Sequence, residues 1–512
     1  MVPSNDLFEL IKSLTAQEKK FLTSQFAYTE GDENTYKKLY DAIERQSEYD
    51  ELKIKKKFSK TINERSFPVI KNRLFHFILD SLRVSYANDL PDFSVRQMIE
   101  KATILNEKKL RDAAWKLTLK AKQEALLNEL FPEALRALEI ERKNIFFQAQ
   151  EHYDRLLKEN TLEEKDTVEK LKNLTAYEDL QSKMFSIYRA NLSVRNKEDA
   201  AFLNEMIRHS LLQDATTALS FRAKYHFYII SATCYRYLGD LEKGFTYIQK
   251  LASMIETAPM LHNRLMMYLN VLPEMAVIQA SLGKFADALV IVQKIRELGR
   301  SYPQFVKSIA PAMIFRKIAI TETDLYIRIP DYEAGAAQLS RIEDELKKYH
   351  SVLPQYGHYI LYYNIGLLYF GTGDCHNALH WLNRILNENK DEYVLDLTCA
   401  ARMLFLIIHL ELGNDDLLEY AAQSTQRYLT TRKRKYKVET VFLELLHLIL
   451  NPDRKKELHS IYPQMLAQLK SLRSDPYEKG AFEHFDFVSW CESRIQNCTF
   501  GEIVKEKAKL LL

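Results

Sequence analysis

Along nearly the whole chain, apolar residues recur three and four positions apart. That spacing stacks them on one face of an α-helix. Near the start, Leu7, Leu10, Ile11 and Leu14 keep it. Thr15-Ala16-Gln17-Glu18 then reads as a capping box opening a second helix through Phe26, which Gly31-Asp32 breaks. A third helix over 36–46 puts Leu39, Tyr40 and Ile43 on one face, and a short basic helix follows over 51–58. Ser66-Phe67-Pro68 opens a longer apolar one through Leu74, Phe75, Phe77, Ile78 and Leu82, with proline in the first turn, where its missing N–H costs little. Helices near 113–125 and 133–150 form a pair about Phe131-Pro132, and amphipathic segments at 153–172 and 174–192 suit a hairpin or arm.

From about residue 216 the pattern repeats. The clearest unit is Tyr362-x2-Ile365-Gly366-x2-Tyr369, a turn at Gly373-Asp374, then Ala378-x3-Leu382. Others read Tyr228-x2-Ser231-Ala232-x2-Tyr235 with a turn at Gly239-Asp240 and Gly244-x3-Ile248, and Leu272-x2-Met275-Ala276-x2-Gln279 with a turn at Gly283-Lys284 and Ala288-x3-Val292. A weaker unit has Tyr326, a turn at Pro330-Asp331-Tyr332 and Gly335-x3-Leu339, and a degenerate one keeps the turn Gly413-Asn414. These units resemble tetratricopeptide repeats, whose pattern is W-x2-L-G-x2-Y followed by A-x3-F. The turns at 239, 283, 330, 373 and 413 stand 44, 47, 43 and 40 residues apart, longer than the usual ~34. Longer helices or inter-repeat loops are implied. Small residues at 232, 276 and 366, and at 244, 288, 335 and 378, suit close helix approach, since glycine inside a helix costs ~1 kcal/mol against alanine. The opening segment, Leu7-Phe8 to Glu18-Lys19, resembles a group of uncharacterised bacterial proteins beginning LF-x-LI-x-SLT-x2-EK.

The expected architecture is all-α: an N-terminal helical domain (1–95), helical hairpins or an arm with room for degenerate repeats (96–215), a TPR-like α-solenoid (216–430) and a helical C-terminal cap (431–512). Glycine usage agrees. Only Gly31 precedes Gly239, so hairpin turns and phosphate-cradling loops have little to be made from in the first half.

Charge and cysteines narrow the function classes. Seventy-two basic against sixty-nine acidic side chains leave a net charge of +3, which gives no global field for nucleic acid or anionic lipid. The longest apolar run, 403–410, contains His409 and is far short of the ~20 residues of a membrane span. The start lacks the basic stretch of a signal peptide, and five scattered cysteines suit a reducing compartment. A cytoplasmic location is expected.

No catalytic motif stands out. G-x-S-x-G, the P-loop and G-x-G-x-x-G are absent. His376 and His380 are one helical turn apart, but Asn377 stands where a zincin carries glutamate. Cys491 and Cys498 lack zinc-ligand spacing. No enzyme, cofactor or metal is expected, and the leading reading is an interaction scaffold with a protein or peptide partner. The tetratricopeptide resemblance implies that the first helix of each pair lines a concave groove. By register that groove carries Arg236, Tyr237, Asn270, Lys317, Asp324, Arg328, Tyr363 and Phe370. The Lys/Asn clamp of some tetratricopeptide cochaperones is not matched, because Ile229 and Thr233 stand in its place.

Two basic clusters mark a patch for nucleic acid or an acidic partner: Lys53, Lys55, Lys56 and Lys57, with Lys60 beyond, and Arg432, Lys433, Arg434 and Lys435. The alternative function is therefore a bacterial regulator whose helix-turn-helix-like N-terminal unit binds nucleic acid under control of the repeats.

Overall fold

Helix follows helix, and no strand occurs among the described residues. The computed structural model describes residues 5–27, 33–59, 61–63, 65–190, 193–258, 261–301, 310–349, 353, 355–388, 395–451 and 458–509. The break at Gly31-Asp32 and Lys60 lie outside them. Two compact units are present. One comprises Met1–Thr175 with Leu219–Arg222 and Lys307–Ile309, the other Ala176–Ala218 with Ala223–Val306 and Ala310–Leu512.

In the first unit, the capping box forms as its sequence requires. The Thr15 N–H donates to Glu18 Oε2 at 2.7 Å, and the Glu18 N–H donates to Thr15 Oγ1 at 3.2 Å. The Tyr86 hydroxyl also donates to Glu18 at 2.6 Å, so this carboxylate is buried without lacking partners. Leu7, Ile11, Leu39, Ile43, Leu74 and Ile78 form the core beneath it. A second core is built on small residues, with Ala121, Ala125, Ala134 and Ala137 between Val95 and Ile140. Its helices, Pro91–Glu107, Arg111–Leu127 and Phe131–Ile145, turn through Lys109 and Glu129, whose φ angles are 62° and 54°. At these turns the Leu110 N–H donates to Leu105 O at 2.9 Å and the Leu130 N–H to Ala125 O at 2.8 Å. That is the Schellman closure, which normally places glycine in the left-handed position. One continuous helix, Gln150–Ala190, runs where the sequence left room for a hairpin.

The second unit is a TPR-like array of paired helices. Phe221–Tyr237 pairs with Leu241–Glu256, Leu261–Ser281 with Phe285–Ser301, Gln355–Gly371 with Cys375–Glu388, and Leu395–Glu411 with Asp415–Thr431. In the weaker unit, Ala310–Arg328 is followed by a broken second helix, Tyr332–Ala336 and Leu339–Tyr349. All five turns close alike. Asp240, Lys284, Asp331, Asp374 and Asn414 each donate their N–H to the carbonyl five residues earlier, at 2.9–3.1 Å. Gly239 and Gly373 both take φ +86°, which an L side chain rarely adopts. Asp240, Asp331 and Asp374 then cap the next helix through its third N–H, at 3.0–3.2 Å. The interior glycines do the work expected of small residues. A Cβ on Gly244 would sit 3.2 Å from Ala232 O, and one on Gly335 would sit 2.6 Å from Leu368 Cδ2.

A helical cap completes this unit with Lys437–Leu450, Leu458–Arg473, Lys479–His484, Phe487–Gln496 and Phe500–Lys509. It returns onto the repeats. Trp490 is fully buried against Phe442 and donates from Nε1 to Glu411 at 2.8 Å. Gly501 packs so closely that a Cβ would lie 2.1 Å from Gly371 O. Arg195 donates from Nη2 to both carboxylate oxygens of Glu439 at 3.0 Å, with Glu478 at 3.5 Å, and its guanidinium lies over the Tyr436 ring.

Candidate partner-binding face

The first helices of the pairs carry a polar stripe along one face. Asn270 is exposed on the Leu261–Ser281 helix and bonds the Tyr225 hydroxyl of the Phe221–Tyr237 helix. One turn on, Glu274 meets Arg236 at 3.4 Å. The Arg236 guanidinium stacks over the Tyr237 ring with its centre 4.5 Å away, and Tyr237 itself is buried. The next first helix, Ala310–Arg328, contributes Lys317, Asp324 and Arg328. Arg328 donates to Asp324 at 2.8 Å and reaches Ser281 Oγ at 3.4 Å. Six of the eight residues assigned to the groove by register thus fall on the first helices of three successive pairs. Salt bridges and hydrogen bonds connect four of them to neighbours on the same stripe.

Lys317 is the electrostatic outlier. Burial, with Arg316 adding repulsion, lowers its pKa to about 8 against the pull of Glu274. A cation that burial disfavours, opposed only in part by Glu274, is a candidate contact for an incoming carboxylate.

Tyr363 and Phe370 lie elsewhere. The register leaves them open to solvent, but the cap covers both. The Tyr363 hydroxyl donates to His484 O at 3.0 Å, and Phe370 packs 5.9 Å from Phe485 and 5.3 Å from Phe500. Repeat periodicity describes the array as if its inner face were empty, so it carries no sign of a distant segment seated there. Gly501, whose close approach to Gly371 permits this return, was the available signal.

Beside the covered region lies a cavity of about 500 Å³. Arg236, Tyr237 and Arg328 line it on the array side, and Lys479, His484 and Phe485 on the cap side. Burial, reinforced by Arg195 and Arg328, lowers the His484 pKa to about 3, so its imidazole is neutral. Its Nε2 has no hydrogen-bond partner.

The basic clusters are partly spent on local pairs. Lys53 meets Asp50 at 3.3 Å and Lys55 meets Glu51 at 2.8 Å, leaving Lys56 and Lys57 as exposed charges. Arg434 turns inward to Asp396 at 3.3 Å and the Tyr436 hydroxyl at 3.2 Å, while Arg432, Lys433 and Lys435 stay exposed. The Phe67–Asp89 helix after the first cluster buries Phe67, Leu74, Ile78 and Leu82 in the core. These observations do not favour the regulator alternative.

His376 and His380 are exposed, and no group of three His, Cys, Asp or Glu among the described residues is placed to hold a metal. No described helix is long and apolar enough to cross a membrane.

No family model matches the chain. No curated protein matches it either. Among solved structures, one titled "Crystal Structure of Rap Protein Complexed with Competence and Sporulation Factor" aligns with 14% identity and a TM-score of 0.38, over 82% of this chain and 99% of that one.

Proposed function

We propose that the chain is a non-enzymatic interaction scaffold that holds a partner peptide or helix against the polar stripe of its TPR-like array, within residues 216–430. What supports this reading is the pairing of Arg236 with Glu274, one turn from Asn270, and of Arg328 with Asp324 on the next first helix, which also carries Lys317. Charged side chains of both signs beside an exposed amide offer direction as well as affinity, because complementary charges fix the register of a bound segment. Arginine is also common among the few residues that dominate binding energy. An acidic position in the partner is expected opposite Lys317, where a carboxylate would relieve a cation that burial disfavours.

The test is affinity capture from the source cell, followed by quantitation against two variants. Asn270→Ala and Lys317→Ala should each reduce recovery of the captured protein about tenfold, the loss expected for a contact worth ~1.4 kcal/mol. Lys57→Ala, exposed and far along the sequence, should leave it unchanged. Equal recovery with all three variants would remove the stripe from consideration.

A further inference from the structure

Each compact unit carries one exposed helix face on which apolar side chains stand beside unpaired charge, and the two faces have opposite sign. In the first unit, the helix Glu51–Phe58 turns Ile54 and Phe58 into the core. Its outer face carries Leu52 one turn from Lys56, and Lys53 one turn from Lys57. Leu52 is 79% exposed, more than any other large apolar side chain among the described residues. Two of the four lysines here are neutralised locally, Lys53 by Asp50 and Lys55 by Glu51. Lys56 and Lys57 have no ion pair among the described residues.

Alongside runs a groove of about 660 Å³, lined by Leu52, Ile62 and Phe67 with Lys56, Ser59 and Thr61. The Ser59 hydroxyl donates to Lys56 O at 2.9 Å and the Thr61 hydroxyl to Phe58 O at 3.2 Å. Both hydroxyls are left with room to accept a hydrogen bond. The groove therefore suits a side chain with an apolar body and a donating tip.

In the second unit, the helix Asp415–Thr431 buries Leu418, Ala422, Thr425 and Leu429. Asp416, Leu417, Glu419 and Tyr420, three and four positions apart, are exposed on its other side. Tyr420 is 75% exposed and Leu417 47%. Among the described residues no cation pairs with Asp416 or Glu419, and the Tyr420 hydroxyl bonds no protein group. Apolar residues exposed singly are ordinary, whereas grouping with unspent charge marks a contact surface.

We infer that these two faces bind each other between copies of this chain. The Asp415–Thr431 helix of one copy lies along the Glu51–Phe58 helix of another, with Asp416 and Glu419 against Lys56 and Lys57. Tyr420 enters the groove, its ring against Leu52, Ile62 and Phe67 and its hydroxyl donating to Ser59 or Thr61. Tyrosine fits such a place because one end is apolar and the other polar. A nucleic-acid backbone would use the two lysines and leave Leu52 and the groove unfilled. Because the two faces differ, the contact is heterologous, and copies join head to tail into a ring or an open chain. One helix face against one groove is a small interface, so the association is weak and sensitive to salt. This goes beyond the scaffold reading and does not depend on the partner of the stripe.

The experiment is sedimentation velocity of the full chain at rising concentration, in ~0.05 M and ~0.5 M salt. The sedimentation coefficient should rise with concentration at the lower salt and rise much less at the higher. Lys56→Glu/Lys57→Glu and Asp416→Lys/Glu419→Lys should each weaken association at least about tenfold. Tyr420→Ala should weaken it about tenfold as well, as for a central aromatic anchor. Mixing the two charge-reversed proteins should restore association, since each reversed face then meets one of opposite sign. Circular dichroism melts identify any variant that fails to fold, and Tyr420→Ala then decides. No dependence on concentration, association indifferent to both reversals, or none regained on mixing would overturn the contact. A salt-sensitive change independent of concentration would place it within one chain and overturn it too. Asn270→Ala separates the two ideas, since it should impair partner capture and leave self-association intact.

Discussion

Lys317 shows how much one residue discloses about this surface. Burial lowers its pKa to about 8, from an ordinary 10.5, with Arg316 adding to the shift and Glu274 opposing it. Between pH 8 and 10.5 the unfolded chain therefore binds more protons at this position than the folded chain does. Stability from this group rises with pH across that window, and below pH 8 the full penalty is present. Lys317→Met should then stabilise the protein at pH 7 by about 1–3 kcal/mol, the worth of the shift after allowance for partial exposure. The gain should shrink toward zero near pH 10. Denaturant melts at the two pH values measure this, and an equal gain at both would mean the charge is not being penalised.

At the scale of the element, the turns decide what the sequence discloses. Gly373 has open space around its Cβ position, so only its φ of +86° restricts substitution. Gly373→Ala should cost about 1–2 kcal/mol. Lys109 adopts the same left-handed region at φ 62° on an exposed surface, so Lys109→Gly should raise stability by up to ~1 kcal/mol. Thermal melts of the two variants should move in opposite directions. This pair also explains the limits of the reading. Turns at 239, 283, 373 and 413 were legible because glycine marks them. Those at Lys109 and Glu129 were not, because the same backbone closure forms there without the residue that announces it. The helices of the array and their small packing residues followed from periodicity of 3.6 and a repeat register. The covering of Tyr363 and Phe370 did not, because it depends on residues more than a hundred positions away.

At the scale of the molecule, the second unit is held by contacts that a simple stack of repeats lacks. Arg195 and Glu439 are 244 positions apart, and both are buried with Glu478 beside them. Burial raises the Glu439 pKa and the guanidinium opposes that rise. Arg195→Leu strands two carboxylates and should cost about 3–5 kcal/mol, as expected for breaking a buried pair on one side. The double change Arg195→Leu/Glu439→Leu should recover part of that loss, measured in urea. If the single variant is as stable as the parent, the pair contributes nothing to the fold.

The return of the last helices onto Gly371 and Tyr363 has one more consequence. A stack in which each unit touches only its neighbours lengthens or shortens by whole units, and it frays from its ends. Here the final segment must reach particular positions on earlier units, and those positions stand at a fixed distance. Duplicating or deleting one helix pair would carry Gly501 away from Gly371 and leave Phe500 with nothing to cover. The number of units is therefore locked by the clasp, and growth by repeat duplication is closed to this protein unless the clasp is lost first.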